Sequence, residues 1–384
     1  MQQGRPPGRC AQRGLTLIEL MISISIGLVV VGAVTYLYVG SKGAYRGNAS
    51  LARIQEAGRF ALDSITRDVR RAGSLGCGSL ASISTNQPVV PSVFVPSGTG
   101  NDPTVLTLDA TGKTMPILGF KTAAFAALPT APPAGWVPPA GGVRPPPSAP
   151  TYWGGDILQL QVASGLPVRM SAGVDTANGT ITIADNTVPG GTANFKQSDY
   201  ALLADCSSAA IFQVTTAPPV TAPALLSYAT GGAVPALPAS ISVNTFPTVQ
   251  HFDQVTYYVG QVPNSNPVVP ALYRYSMSSN TVEEVVDNIE DMDVVYGVDN
   301  TPNDGITAAD IFEHADQVVD WSKVVSVRIA LIAVGDQRGV APANQTLLFR
   351  GNDPNPTPSV AWNAPDTRLR QVFSASTALR DRLQ

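Results

Sequence analysis

The sequence predicts an α+β protein in which one long N-terminal helix packs on an antiparallel β-rich head. Three observations carry that prediction. Residues 15–40 form an apolar run with a single charged residue; a helical periodicity continues beyond it; and after residue 80 the chain changes to short runs separated by Gly, Pro, Asn and Asp.

The apolar run, LTLIELMISISIGLVVVGAVTYLYVG, holds one acid, Glu19, and no base. About 20 apolar residues cross a hydrocarbon core of about 30 Å, so residues 15–40 are long enough to form a transmembrane half of the helix. Arg5, Arg9 and Arg13 precede it with no acid among them, which keeps the N-terminal end in the cytoplasm and exports the rest. A secretory signal would show a shorter apolar region followed by a small-residue cleavage site, and no such site follows this run. Glu19 is physically out of place. An unpaired carboxylate at that depth costs several kcal/mol, and its natural partner is a positive charge at the same depth, such as the α-amino group of a chain cut just before Leu15.

Residues 41–75 are expected to be the amphipathic half of the same helix. Leu51, Ile54, Gly58, Leu62, Ile65 and Val69 recur at three- and four-residue spacing, opposite Lys42, Arg46, Arg53, Glu56, Arg59, Asp63, Arg67 and Arg70. Gly73, Gly76 and Gly78 mark its end. Glycines at 27, 32, 40, 43 and 47 each weaken a helix by about 1 kcal/mol relative to Ala, which favours local melting between the halves or close packing through small residues.

Residues 76–384 make up the head. Asp156–Val162 alternates apolar and polar like a half-buried strand, and similar runs follow at 180–183, 254–259, 271–275, 292–296 and 324–334. An antiparallel sheet packed on the helix fits this order. Residues 128–150 carry nine prolines and read as an exposed insertion with polyproline II character, and 216–238 is a weaker segment of the same kind.

Composition limits the function. The chain is 44% hydrophobic and 14% charged, against roughly 25% charged in an ordinary soluble domain, and disorder needs the opposite balance. A net charge of −4 gives no basic field for nucleic acid, which is not expected as a direct partner. Two His and three Cys leave little material for metal or imidazole chemistry, and there is no G-x-S-x-G elbow, P-loop or Rossmann fingerprint. No catalytic residue, cofactor or metal is expected. Asp299, Asn300, Asn303, Asp304, Gly305 and Asp310 invite a calcium reading over 299–310, but in EF-hand register Pro302 and Ile311 fall on ligand positions, so a solvated Asx-rich turn is favoured. His251 and His314 have no second ligand at metal spacing and are expected in structural or surface roles.

Arg13-Gly14-Leu15-Thr16-Leu17-Ile18-Glu19-Leu20 resembles the class III prepilin signal of type IV pilins and type II secretion pseudopilins. The resemblance implies a leader of residues 1–14, removed after Gly14 by prepilin peptidase, and N-methylation of Leu15, where Phe is commoner. It also implies a filament-assembly role for Glu19, pairing with the N-terminus of a neighbouring subunit. Many major pilins carry a Pro in the second half of the membrane helix; Tyr36 and Tyr38 stand in that region here. Loss of the leader removes Cys10 and leaves Cys77 and Cys206 as an even pair in an oxidising compartment, either bridged or as two buried thiols.

Val285–Asp299, reading VVDNIEDMDVVYGVD, is similar to PilW-type minor pilins. So are Asp253–Val259, the strand with Val327-Arg328-Ile329, the tail Arg368–Phe373 with Ala378-Leu379-Arg380, and the pairs Gly76-Cys77 and Asp205-Cys206. The likeness implies a structural subunit of a type IV pilus that helps initiate assembly, lies at or near the tip and supports adhesion, twitching motility or DNA uptake. Its implied partners are other minor pilins, the major pilin, prepilin peptidase, the inner membrane before assembly, and a tip adhesin. Its implied location is the inner membrane as a single-pass protein with a periplasmic head, then the cell-surface pilus. A J-type pseudopilin of a type II secretion system shares the leader, helix and β-rich head, and a membrane-anchored periplasmic enzyme is the alternative of a different class.

Overall fold

The helix begins where the sequence offers a capping box. In the computed structural model, Thr16 Oγ1 accepts the Glu19 N–H at 3.3 Å, while the Glu19 carboxylate accepts the Thr16 N–H at 3.1 Å and its hydroxyl at 3.0 Å. The structure describes residues 16–73, 116–121, 152–187, 195–205, 209–229, 237, 241, 243–265, 268–301, 309–349 and 361–379. The leader with the Gly14–Leu15 junction, Cys77, Cys206, the 128–150 insertion and residues 302–308 lie outside the described residues.

Helix α1, Leu17–Arg71, is continuous, and 55 residues at 1.5 Å make it about 80 Å long. No interior proline breaks it, and it runs through all five glycines expected to weaken it. It ends at Ala72, whose extended ψ of 130° turns the chain outward and whose N–H bonds Asp68 O and Val69 O at 2.9 and 3.1 Å. Gly73 N–H then donates to Gln161 O at 3.1 Å, so the chain leaves the helix along a sheet edge.

The head holds two main antiparallel sheets. The larger follows the order β1 (Ile117–Phe120), β2 (Tyr152–Arg169), β7 (Thr248–Gln261), β4 (Tyr200–Ala204), β5 (Ala209–Gln213), with β8 (Pro270–Ser276) pairing both β7 and β9 (Thr281–Asp287). The smaller runs β11 (Ile311–His314), β10 (Ile289–Val298), β12 (Val324–Val334), β15 (Arg370–Ala378). Two further pairs, β3 (Thr180–Ile183) with β6 (Ala224–Ser227) and β13 (Thr346–Leu348) with β14 (Ala361–Asn363), add small two-stranded sheets.

The period of two along β12 explains where the core sits. Val327, Ile329, Leu331 and Ala333 join the cluster containing the helix residues Ile54, Ala57, Ala61, Ile65 and Val69, whereas Ile332 packs with Phe349 and Trp362 on the other face. Leu158, Leu160 and Val162 of β2 and Tyr257 of β7 complete the helix-facing core. The helix can come this close because residue 58 is glycine: a Cβ there would stand 2.3 Å from the Phe373 ring of β15.

Three expectations need correction. Asp156–Val162 is buried throughout, with Gln159 and Gln161 each 2% exposed, because the face away from the helix holds its own cluster of Leu118, Phe120, Ile157, Leu202, Tyr258 and Tyr273. The polar members are carried in pairs, as where Gln161 Nε2 donates to Gln254 Oε1 at 3.1 Å. Within 216–238 the chain forms β6, and Ala224, Leu226 and Tyr228 are buried there rather than solvated. Leu51, assigned to the buried helix face, is 38% exposed; Ser50 takes the first buried position, against Gly335.

Candidate functional site

Two parts of the molecule carry surface or chemistry that the head core does not consume. The first is the N-terminal part of α1. From Leu17 to Val39 sixteen large apolar side chains are exposed, and the helix is long and apolar enough to cross a membrane. Among the described residues it is the single helix with that property. Glu19 lies on this surface with its carboxylate held by Thr16 of its own cap. Would-be Cβ atoms at Gly27, Gly32, Gly40 and Gly43 meet nothing within 4 Å, so packing within this chain does not require glycine at any of them.

The second part is the seam where the helix docks. Arg53 forms an ion pair with Asp336, and the helix face carrying Arg53, Glu56, Ala57 and Phe60 shares an open groove of about 470 Å³ with Val285, Val286, Asp287 and Asn288. Deeper in, Asp68 Oδ2 accepts the Tyr257 hydroxyl at 2.7 Å and Arg274 Nε at 3.1 Å, and Ser64 Oγ lies 3.4 Å from the same hydroxyl. Burial, and then the Asp68 charge, push the Tyr257 hydroxyl well above its usual pKa, so it stays a donor. This network ties the last turns of the helix to β7 and β8. Nothing in the 3.6-residue pattern marks Asp68 as different from the exposed Asp63; its place one residue before Val69 is the only signal.

The remaining sequence candidates fall apart in space. His251 stacks on Phe195 with ring centroids 4.1 Å apart and has Nδ1 3.6 Å from Asp199, a bracing position. In the Asx-rich turn, Asp310 Oδ2 accepts the N–H groups of Asn300 and Thr301 at 2.8 Å each, and Asp299 Oδ1 accepts Thr301 N–H at 3.3 Å. The Thr301 hydroxyl and then the Asn300 N–H hold the Asp310 carboxyl below its usual pKa. His314 is different: it lies beside Asp156 and Asp293, residues far from it in the chain that sequence spacing could not have joined to it.

Residues 9–35 match the family model of the prokaryotic N-terminal methylation motif, and residues 256–381 match that of type IV pilus-assembly protein W. The second match covers β8 to β15 and most of the helix-facing core. No curated protein and no solved structure matches the chain. Domains of these two families point to a structural protein rather than an enzyme.

Proposed function

We propose that this chain, a type IV pilin of the PilW type anchored in the inner membrane with its head in the periplasm before it enters the pilus, acts as a minor pilin that helps initiate assembly at or near the tip. The match over 256–381 carries this reading, because it covers β9, β12 and β15, three of the strands against which the helix packs, and belongs to a pilus-assembly family. It also favours the pilus over a type II secretion pseudopilus.

In this reading prepilin peptidase cuts after Gly14 and Leu15 becomes the methylated terminus. Glu19 then stands four residues from a new cation. In the lone chain its carboxylate has Thr16 for a partner, which satisfies hydrogen bonds but leaves a negative charge in lipid. The terminus of a neighbouring subunit supplies the countercharge, so assembly neutralises an ion that the membrane tolerates poorly. The head meets other pilins, and surface charges decide which of them docks.

Mass spectrometry of the native N-terminus tests the class: an N-methyl-Leu15 start is expected, and an intact leader overturns it. Glu19→Ala tests the mechanism. Membrane insertion should be unchanged or improved while incorporation into sheared pili drops; incorporation at the normal level would sink the pairing role.

A further inference from the structure

The two sheets of the head meet at a glycine bulge. Between Gly154 and Leu158 the pairing of β2 with β7 shifts register, and Gly155 adopts φ +82°. A Cβ at Gly155 would stand 2.7 Å from Met292 N and 2.8 Å from Asp291 Oδ1, so the bulge presses β2 of the larger sheet onto β10 of the smaller. The residue that follows is Asp156. It reaches across the seam and accepts the Val294 N–H at 3.0 Å.

That reach brings three metal-ligating side chains together. Asp156 and Asp293 are 1% and 4% exposed, and His314 ends β11, paired with Val295 beside them. One oxygen of each carboxylate and a ring nitrogen of His314 lie within 4.8 Å of one another, with His314 Nδ1 3.9 Å from Asp293 Oδ1. Ligands of a tetrahedral ion with bonds near 2.1 Å stand about 3.4 Å apart, so closing on an ion needs side-chain movements of about 1 Å. An independent observation points the same way. The Tyr296 hydroxyl is wholly buried, has no hydrogen-bond partner, and feels the charges of these same two carboxylates. His314 Nδ1 is likewise buried without a hydrogen bond.

We propose that Asp156, Asp293 and His314 bind a zinc ion that staples the two sheets of the head. One imidazole with two carboxylates suits zinc, whereas calcium prefers an all-oxygen shell of six to eight ligands. Lys121 and Asp316 also act on His314, and a metal-free network closed by Lys121 is the competing arrangement.

The test uses untagged full-length protein in detergent, stripped with chelator and then given zinc alone. One zinc per chain and a raised unfolding temperature are expected. Asp293→Asn and His314→Gln should each bind at least about a hundredfold more weakly and lose the thermal shift, since even outer-shell changes cost ten- to hundredfold. No zinc retained by the parent protein overturns the site, as does equal retention by either folded variant. Should both variants fail to fold, cobalt replaces zinc in the parent protein. Intense tetrahedral visible bands without a thiolate charge-transfer band support the site, and weak aqua-like bands or a cysteine signature overturn it.

Discussion

Asp68 shows how much one carboxylate on the helix carries. Removing it leaves Arg274, 25% exposed, without its ion pair and the Tyr257 hydroxyl with only a 3.4 Å contact to Ser64. Losing a charged acceptor with two donors left behind costs about 2–3 kcal/mol, discounted for the partial exposure of Arg274. Urea unfolding of the detergent-solubilised protein should show that loss for Asp68→Ala and a smaller one for Asp68→Asn. An Asp68→Ala protein as stable as its parent would mean that the network contributes nothing. His251 makes a second prediction. Burial lowers its pKa below 6.5, with Asp199 and Asp253 only partly opposing. The unfolded chain then binds more protons once the pH drops below about 6.5, so this contribution is full above that value and is lost towards the lower folded pKa. Stability should fall more between about pH 7.5 and 5.5 in the parent than in His251→Gln; equal slopes would remove His251 from the account.

At the scale of elements, the contact of α1 with β15 turns on Gly58 and Phe373. An Ala at 58 gains about 1 kcal/mol of helix propensity but overlaps the aromatic ring, an overpacking of about 1–3 kcal/mol. Net destabilisation is expected for Gly58→Ala, and the sign should reverse in a Phe373→Ala background, where the ring is gone. Additive effects in the double mutant would show that the ring moves aside freely. The same elements show what the sequence made legible. Strong β-branched alternation located 180–183 and 324–334 with the bounds of β3 and β12. Glu283 and Glu284 hid β9, and the prolines around 224–227 hid β6, because local composition there reports the loop chemistry beside the strand. Glu19 could be singled out because an acid in an apolar run is anomalous within its own neighbourhood. Asp156, Asp293 and His314 could not, since only sheet topology brings β2, β10 and β11 to one seam.

For the whole molecule, the reading of Cys77 and Cys206 as a bridge predicts a mature protein about 2 Da lighter under non-reducing conditions, closing a loop worth up to about 5 kcal/mol. Two alkylatable thiols on the denatured protein would overturn it. Loss of residues 1–14 would also remove three positive charges and no negative ones, taking the net charge from −4 to −7 and leaving an acidic exported chain. That balance would make a polyanion such as DNA a poor match for its average surface.

The exposed stretch from Leu17 to Val39 has one more consequence. At about 1.5–3 kcal/mol for each large apolar side chain, returning its sixteen to water would cost some tens of kcal/mol. Lipid and a bundle of neighbouring helices are nearly equal as hosts, since acyl chains are as apolar as leucine. The helix therefore never trades a good environment for a bad one when it changes host. The step is close to balanced, so a term as small as one ion pair is enough to set its direction.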